Sequence, residues 1–300
     1  MPAKRQLEER IQVRRLDAVI GVEAKGIDLS QPLSETVFVA LRDALRNNSI
    51  LLIRGQSLSP PLMAKVMMRF GRLRRYKPLQ PRSKDHAERY LCEDEPNIMR
   101  IGNLQVNGKP KSMFTNTSCD WHIDDLYKAH PHEATALFAV QTPSSGCDTL
   151  FTGLRAAYDT LEDTKKQEID HLQCLYSVQR LDTFQRQNDV SRPPIIDETI
   201  TSNPPVSRPL VRVDPVTRKK GLFFAQEIMP QVQGMSEKCS RVLIAGLANH
   251  ATNARFQYRH KWADGDFLIW DNLSTMHRAT EFSAGGKQRL LYRAMVSRML

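Results

Sequence analysis

Hydrophobic residues occur along this chain in short blocks, and the spacing within each block indicates its local structure. Apolar positions three or four residues apart indicate helices, because they fall on one helical face. The helices predicted in this way cover residues 35–47, 59–70, 153–175 and 236–251. Ser59 and Ser236 are suited to cap the second and the last of them, and Pro60 and Pro61 fit a first helical turn.

Other blocks are shorter, and their alternating or continuous apolar character is typical of strands. The predicted strands cover residues 14–27, 49–54, 134–141, 210–213, 222–224, 256–262, 266–270 and 290–296. Many short strands with a few helices outside them indicate a mainly β fold, a two-sheet antiparallel sandwich with flanking helices. Three hundred residues suit one large domain or two small ones. Because no repeat or low-complexity block divides the chain, we predict a single domain over residues 1–300.

Two polar segments interrupt this pattern, at residues 76–95 and 182–207. The first is rich in charged residues, and the second is polar and contains prolines. Irregular connections of such length are more often functional or disordered than neutral. We therefore predict a mobile loop or lid over residues 76–95 and a long, irregular, mobile connection over residues 182–207.

Composition narrows the class of protein. The hydrophobic content of 41% is typical of a globular protein, and no apolar run approaches the roughly 18 residues that a membrane span needs. The amino-terminal segment has basic residues but no apolar stretch of signal-peptide type. Five cysteines, an odd number without metal-site spacing, are expected to be reduced thiols. We therefore expect a cytoplasmic protein that does not bind membranes.

The net charge of +10 raises the question of nucleic-acid binding. The basic residues are scattered, however, and no arginine-rich arm or known nucleic-acid motif is present. An enzyme that binds anions explains part of the charge, and surface solvation explains the rest. We expect a small-molecule substrate and no nucleic acid, and a homo-oligomer as the assembly.

Candidate chemistry lies in three residues that are far apart in the sequence. His122 and Asp124 are two positions apart, so on an extended strand both side chains point to the same side. His277 would then come from a strand that is a neighbour only in the folded state. Two imidazoles and one carboxylate can bind one face of Fe(II) and leave the opposite face open. Taken alone, a His-x-Asp pair is more often an exposed polar strand face, but Arg289 and Arg293 downstream of His277 favour the metal site.

With these residues placed, a set of short motifs occurs in a recognisable order. The motifs are IRGQ at 53–56, FG at 70–71, WHID at 121–124, PSSGCDT at 143–149, RAAY at 155–158, PLV at 209–211, RKKGLF at 218–223, WDN at 270–272 and HRA at 277–279. Together they resemble the Fe(II)/2-oxoglutarate dioxygenases of the taurine dioxygenase family, and especially its branch that degrades phenoxyalkanoate herbicides. The resemblance extends from Val19 to Val296. It implies a double-stranded β-helix, or jelly roll, with iron near the open end of the barrel.

The resemblance also implies roles for individual residues. His122, Asp124 and His277 match the iron ligands of the family. Thr149 matches a threonine whose hydroxyl helps to hold a carboxylate of 2-oxoglutarate. Arg289 matches the arginine that pairs with the distal carboxylate of the same cosubstrate, for which a planar, always charged guanidinium is well suited. The alternative for Arg289 is a surface arginine near the carboxyl terminus.

A second arginine and three departures from the family pattern bear on the substrate. Arg293 matches an arginine that often binds an anionic group of the primary substrate, and on a straight strand it would face the same side as Arg289. Its alternative role is only to support the 2-oxoglutarate site. Cys147 replaces the usual second glycine before the aspartate, and Arg208 stands where a histidine is frequent. The segment around Gly285 is one residue longer than in close relatives.

Other polar residues near these motifs have less specific interpretations. Those that flank the carboxyl-terminal histidine motif are expected to support the ligands and form a turn, namely Trp270, Asp271 and Asn272. The histidines that match no pattern are expected to be structural or exposed, namely His130, His132, His250 and His260.

The pattern as a whole implies an Fe(II)- and 2-oxoglutarate-dependent dioxygenase. Such an enzyme would use O2 to hydroxylate a C–H bond of a small anionic substrate and would release succinate and CO2. One alternative is desaturation or cyclisation on the same scaffold in a biosynthetic pathway. A second alternative is a binding protein that keeps metal and 2-oxoglutarate without turnover, and the intact metal and cosubstrate residues argue against it.

Overall fold

The computed structural model of the chain describes residues 11–77, 88–113, 120–143, 146–188, 193–225, 228, 230–281, 288–297 and 299. The helices are α1 Glu35–Asn48, α2 Pro60–Phe70, α3 Leu154–Asp159, α4 Asp163–Ile169, α5 Val178–Asn188, α6 Asp197–Ser202 and α7 Glu237–Ala251, followed by a 3-10 turn over Ala254–Phe256. Ser34, Ser59 and Ser236 cap α1, α2 and α7, because each hydroxyl accepts a hydrogen bond from the backbone N–H three residues later. These three helices confirm the predictions for residues 35–47, 59–70 and 236–251.

The strands form two facing sheets and several short ribbons. They are β1 Gln12–Arg15, β2 Val22–Lys25, β3 Ile50–Ile53, β4 Arg72–Leu73, β5 Met99–Gly102, β6 Gln105–Val106, β7 Lys109–Pro110, β8 Ala134–Gln141, β9 Thr149–Gly153, β10 Gln173–Tyr176, β11 Val206–Pro209, β12 Val211–Val213, β13 Lys220–Leu222, β14 Gln231–Val232, β15 Gln257–His260, β16 Phe267–Asp271, β17 Thr275–Ala279 and β18 Leu290–Ser297. Within the described residues, the larger sheet has eight strands in the order β1-β2-β3-β16-β8-β18-β4, with β5 also paired to β18. The smaller sheet has the order β15-β9-β17.

The two sheets face each other across a shared apolar core, as expected for the predicted jelly roll. Phe151 of the smaller sheet packs in one cluster with side chains of the larger sheet, namely Leu137, Leu268, Trp270 and Leu291. The other face of the larger sheet is covered by α1 and α2. Antiparallel pairing of β8 with β16 and β18 places these strands at the centre of the larger sheet. The shared core therefore lies against the centre of the larger sheet.

The structure corrects two of the predicted elements. Residues 14–27 contain the end of β1, a turn and all of β2 and not one strand, and the turn ends at Gly21, whose φ of +90° favours glycine. The region 153–175 contains α3, α4 and the start of β10 and not one helix. Each of these segments carries the expected apolar residues, but a turn divides it.

The prediction that residues 182–207 form an irregular connection is also wrong for the residues of this segment that the structure describes. It contains the end of α5, all of α6 and the start of β11. Helix α5 begins where the Ser177 hydroxyl accepts a hydrogen bond of 3.3 Å from the Arg180 N–H, and it buries Val178 and Leu181. Residues 78–87 and 189–192 lie outside the described residues, so the mobility of the two loops stays a prediction.

None of the helices in the described part of the chain has both the length and the apolar character that a membrane crossing demands.

Candidate metal centre

The backbone places His122 and His277 side by side. The His122 N–H donates to the His277 carbonyl at 3.1 Å, and the His277 N–H donates to the His122 carbonyl at 3.0 Å. His277 lies in β17 as predicted, but His122 forms an isolated bridge, so the prediction of a strand carrying His122 and Asp124 is wrong. Asp124 instead opens a turn in which Asp125 has a φ of +60°. This turn, and not strand alternation, directs the Asp124 carboxylate towards the two imidazoles.

Three donor atoms converge at this point. One ligand atom from each of His122, Asp124 and His277 lies within 4.8 Å of the other two. The Nδ1–H of His122 donates to the Asp120 carbonyl at 2.8 Å, which leaves its Nε2 with a lone pair for a metal. Two imidazoles and one carboxylate form the donor set of non-haem Fe(II) oxygenases, so the residues fit this ion.

Aromatic side chains of the inner core hold the His277 ring. The ring centroids of His277 and His122 are 4.2 Å apart, and that of Trp270 lies 4.9 Å from His277. Phe151 is the direct strand partner of His277 and stacks with it at 6.1 Å. The candidate centre is therefore built on the edge of the core that joins the two sheets.

Asn272 fixes the backbone on both sides of the Asp124 turn. Its side-chain oxygen accepts a hydrogen bond of 3.1 Å from the Asp124 N–H. Its amide group donates to the carbonyl of Asp124 at 3.0 Å and to that of His132 at 2.9 Å. Asn272 is fully buried. These contacts agree with the supporting role predicted for Asn272.

The electrostatics of the site favour the protonation states that bind metal. Although burial raises it, the nearby Arg293 guanidinium brings the pKa of Asp124 well below its usual range. Burial, together with the neighbouring His122, lowers the pKa of His277 well below its ordinary value. The carboxylate is therefore ionised and the imidazole neutral at neutral pH, as metal ligation requires.

Arg293 lies at the candidate metal centre. It occupies β18, and its Nη2 donates to the Asp124 Oδ2 in a charge-assisted hydrogen bond. The side chains of Arg293 and Asp124 are 13% and 15% exposed, so solvent screens the pair only weakly. The structure thus places the predicted substrate residue directly beside a predicted iron ligand.

Thr149 is the first residue of β9 and lies on the same face of the smaller sheet as His277. The strand register pairs Phe151 with His277 and Thr149 with Ala279, and side chains two positions apart on a strand share a face. The Thr149 hydroxyl accepts a hydrogen bond of 3.0 Å from the Trp262 indole N–H. Thr149 is two residues along β9 from Phe151, the strand partner of His277, and this position suits contact with a ligand of the same metal.

Arg289 lies immediately before β18 and is only 7% exposed. Its backbone N–H donates to the Asn103 side-chain oxygen at 2.7 Å, and its carbonyl accepts from the Asn103 N–H at 3.1 Å. Gly102 of β5, which pairs with Leu290, lies against this backbone, and a Cβ there would lie 1.9 Å from the Arg289 carbonyl oxygen. The backbone of Arg289 is therefore held by a contact that only glycine permits.

Cys147 lies beside the Arg289 guanidinium, at the position where the family pattern has glycine. Its φ of +54° is in the left-handed region, which explains why glycine is usual there. Burial raises the pKa of the Cys147 thiol, so it stays protonated at neutral pH. Burial lowers the pKa of Arg289 from its very high ordinary value. The departure at Cys147 thus adds a neutral thiol next to the arginine expected to bind 2-oxoglutarate.

Two residues near the centre were not assigned to it from the sequence. Arg208 donates to the carbonyls of Leu126 at 2.9 Å, of Lys128, and of Ala129 at 3.4 Å, so it fixes the segment that follows the Asp124 turn. His132, interpreted as structural or exposed, is buried and lies against that turn. Nothing in the spacing of His132 distinguishes it, because its proximity to the site depends on the turn.

Comparison with known protein families identifies the chain. The model of the "Taurine catabolism dioxygenase TauD, TfdA family" matches residues 12–295. The chain belongs to this family. As a member of the TauD/TfdA family it is a 2-oxoglutarate-dependent, non-haem iron dioxygenase with the jelly-roll fold, which confirms the predictions of enzyme class, fold and cofactors.

Individual TauD/TfdA relatives are similar over nearly their whole length. The 2,4-dichlorophenoxyacetate dioxygenase of Cupriavidus pinatubonensis is 29% identical over 278 residues, which cover 90% of this chain and 91% of the relative. The (S)-phenoxypropionate/alpha-ketoglutarate-dioxygenase of Delftia acidovorans is 26% identical, with 91% and 90% covered. The crystal structure of AAD-2 with Mn(II) and N-oxalylglycine superposes with a TM-score of 0.73 at 26% identity, and covers 96% of this chain and 97% of that chain.

Proposed function

We propose that this dioxygenase hydroxylates a C–H bond of a small anionic organic substrate, with His122, Asp124 and His277 as its iron ligands. The observation that carries the proposal is the convergence of these three donors within 4.8 Å at the edge of the inner core. The ionised carboxylate and the neutral His277 support it, because both are in the form that binds a divalent ion.

Bound Fe(II) supplies the redox chemistry, in which O2 oxidises 2-oxoglutarate to succinate and CO2 and the substrate is oxidised in turn. The part of the protein is to bind and orient. Arg289 would hold the distal carboxylate of 2-oxoglutarate through two parallel hydrogen bonds. The Thr149 hydroxyl would add a further contact. Both side chains are nearly excluded from water, which strengthens a charged contact of this kind.

Arg293 is our candidate for binding the anionic group of the substrate. A guanidinium has five N–H donors, and the contact with Asp124 Oδ2 uses Nη2 alone. Other N–H groups of Arg293 would therefore donate hydrogen bonds to a substrate carboxylate or sulfonate close to the metal. The substrates in the names of the relatives, 2,4-dichlorophenoxyacetate and phenoxypropionate, are small carboxylate anions.

The test is a screen for substrate-stimulated succinate release. The purified protein is loaded with Fe(II) and 2-oxoglutarate and offered phenoxyalkanoates, alkyl sulfonates and amino-acid-derived acids. We expect at least one anionic class to raise succinate formation in the wild type and not in His277→Ala. Succinate formation that no candidate acid raises, or that persists in His277→Ala, would contradict the proposal.

Product analysis separates the alternatives. A product heavier by one oxygen atom, or the fragments of an unstable hydroxylated intermediate, is expected for hydroxylation. A product lighter by two hydrogen atoms would instead indicate desaturation or cyclisation. Binding of metal and 2-oxoglutarate without succinate release under any condition would indicate a binding protein.

The proposal also includes the domain organisation, the assembly and the location of the protein. Residues 1–300 act as a single domain, the protein functions as a homo-oligomer, and it resides in the cytoplasm. The family model spans residues 12–295, which supports the single domain. Light scattering after size exclusion tests the assembly, since a mass of 34.3 kDa would indicate a monomer and contradict this part.

A further inference from the structure

His132 is buried to 1% exposure between two carboxylates in the turn that follows the first ligand motif. Its Nδ1–H donates to Asp125 Oδ2 at 3.1 Å. Its Nε2 lies 2.8 Å from the Thr135 hydroxyl and 3.4 Å from Asp124 Oδ2. The ring therefore lies between the carboxylate expected to bind iron and the carboxylate of Asp125.

The two oxygens of Asp124 have different surroundings. Oδ2 accepts a hydrogen bond from Arg293, faces His132 and lies 3.8 Å from the His277 Nε2, whereas Oδ1 lies 3.7 Å from the His122 Nε2. Because Arg293 donates to Oδ2 and the His132 ring lies against the same oxygen, the carboxylate cannot rotate freely about its Cβ–Cγ bond. Oδ1 is thus kept directed towards His122 and Oδ2 towards His277, the two imidazoles that are expected to share the metal.

The far end of the ring is anchored as well. Asp125 accepts from His132 and pairs with Lys128 at 2.8 Å, which holds it in place. The His132 carbonyl accepts a hydrogen bond from Asn272, the residue that also fixes the Asp124 backbone. The imidazole is therefore held on both sides and presents a fixed Nε2 to Asp124.

We propose that His132 is a positioning residue for the candidate iron ligand Asp124, acting by fixing the orientation of its carboxylate. The proposal rests on the proposed function, because it assumes that Asp124 binds the metal. Polar groups that contact a metal ligand from outside the coordination sphere typically change metal affinity about 10–100-fold when they are removed. His132 would be such a group, recruited from ten residues after His122.

The test compares metal binding in matched histidine variants. His132→Leu removes both polar contacts, while His132→Gln places an amide near the position of Nε2. His250→Gln is the control, because His250 also hydrogen-bonds inside the fold, at 2.8 Å from the Ala157 carbonyl, but on α7. Mn(II) affinity is measured by calorimetry, and the visible spectrum of the Co(II)-loaded protein reports on the ligand geometry.

We expect His132→Leu to lower Mn(II) affinity about 10–100-fold and to shift the Co(II) bands. His132→Gln should recover most of the affinity, and His250→Gln should bind like the wild type. A folded His132→Leu that binds Mn(II) like the wild type with an unchanged Co(II) spectrum overturns the proposal. So does an affinity loss that His250→Gln shares, because the effect would then be general.

A second variant keeps the proposal testable if His132→Leu does not fold. Asp125→Asn leaves the imidazole in place but weakens the hydrogen bond that holds it, so we expect a smaller loss of Mn(II) affinity. An Mn(II) affinity equal to that of the wild type would overturn the proposal. Failure of the proposed function is distinguishable, since in that case the wild type itself would bind no Mn(II). If the wild type binds Mn(II) and the variants bind it equally well, only the positioning role of His132 is contradicted.

Discussion

At the scale of single residues, Arg293 contacts the carboxylate that the family pattern gives to iron. Removing its guanidinium should therefore have two effects. An anionic substrate loses its cationic partner, and Asp124 loses the donor that lowers its pKa. The distal carboxylate of 2-oxoglutarate, which Arg289 is expected to bind, loses neither. The two ligands of the enzyme should thus respond differently to one substitution.

Arg293→Gln should raise the KM for the primary substrate about 10–100-fold, because a charge-assisted hydrogen bond is worth about 1.5–3 kcal/mol. The KM for 2-oxoglutarate should change only about threefold or less, since this residue makes no charged contact with it. Steady-state kinetics on both ligands measure this, with the exposed Arg241→Gln as the control. An equal loss for both ligands would reduce Arg293 to a supporting residue.

Arg289→Ala should show the opposite selectivity. The KM for 2-oxoglutarate should rise about 10–100-fold, while substrate affinity of the metal-loaded enzyme stays similar. Thr149→Ala should have a milder effect, because a neutral hydroxyl contributes only about 0.5–1.5 kcal/mol. An unchanged KM for 2-oxoglutarate in Arg289→Ala would move this role to another basic residue.

At the scale of elements, the position of Arg289 depends on how closely β5 approaches the start of β18. Gly102→Ala places a Cβ 1.9 Å from the Arg289 carbonyl oxygen, so one strand end must move. We expect a loss of about 1–3 kcal/mol in the free energy of unfolding, together with a higher KM for 2-oxoglutarate.

The matched control for this substitution is Gly108→Ala. Gly108 also has a positive φ, of +72°, but a Cβ there has nothing within 4 Å. Its cost should be confined to backbone strain, about 1–2 kcal/mol, with no change in the KM for 2-oxoglutarate. If Gly102→Ala left that KM unchanged as well, the close approach would not be what positions Arg289.

Elements with a strong local signal were predictable from the sequence. Helices α1, α2 and α7 combine apolar spacing with a capping serine, and β8 is a mostly apolar run with the predicted bounds of residues 134–141. Helix α5 was missed because, among its described side chains, the buried apolar residues are only Val178 and Leu181, in a mostly polar segment. Local pattern decides an element when its apolar face is long, and tertiary contacts decide it otherwise.

The candidate site, too, was predictable only in part. The identity of its principal residues followed from motifs, and the structure brings His122, Asp124 and His277 together. The means by which they meet did not follow, because Asp124 is aimed by a turn with a left-handed Asp125. The place of His132 depends on that turn and on Asn272, so no spacing rule could have assigned it.

At the scale of the whole molecule, buried ionisable groups make stability depend on pH. His260 is fully buried, and its Nε2 lies 3.2 Å from the Asp266 Oδ2. Burial lowers the pKa of His260 below the 6.5 of a free histidine. The unfolded chain therefore takes up a proton below about pH 6.5 that the folded protein does not, and stability falls as the pH decreases.

His260→Gln should make the stability of the metal-free protein less sensitive to pH. Between about pH 6.5 and 5.5, one such histidine contributes at most about 1.4 kcal/mol per pH unit. Denaturant unfolding at several pH values measures the slope, and the variant should have the shallower one. Identical slopes in the two proteins would show that His260 takes up its proton equally in both states.

Binding of metal and cosubstrate should stabilise the whole molecule, because the site joins β17, β18 and the turn at Asp124. Ligands present at about 100 times their Kd stabilise the folded state by about 2.7 kcal/mol. For 300 residues this corresponds to about 4 °C in Tm, at about 2.1 cal/mol/K of unfolding entropy per residue. Mn(II) with 2-oxoglutarate should produce this shift in the wild type, as measured by thermal unfolding.

The same measurement tests the ligand assignment without turnover. His277→Ala removes one of three donors, so Mn(II) affinity should fall far enough to abolish most of the Tm shift. Arg289→Ala should retain the shift with Mn(II) alone and lose the additional shift from 2-oxoglutarate, because it removes the cosubstrate contact and leaves all three donors. A full shift in His277→Ala would show that Mn(II) binds elsewhere, and the assignment of His122, Asp124 and His277 would then be wrong.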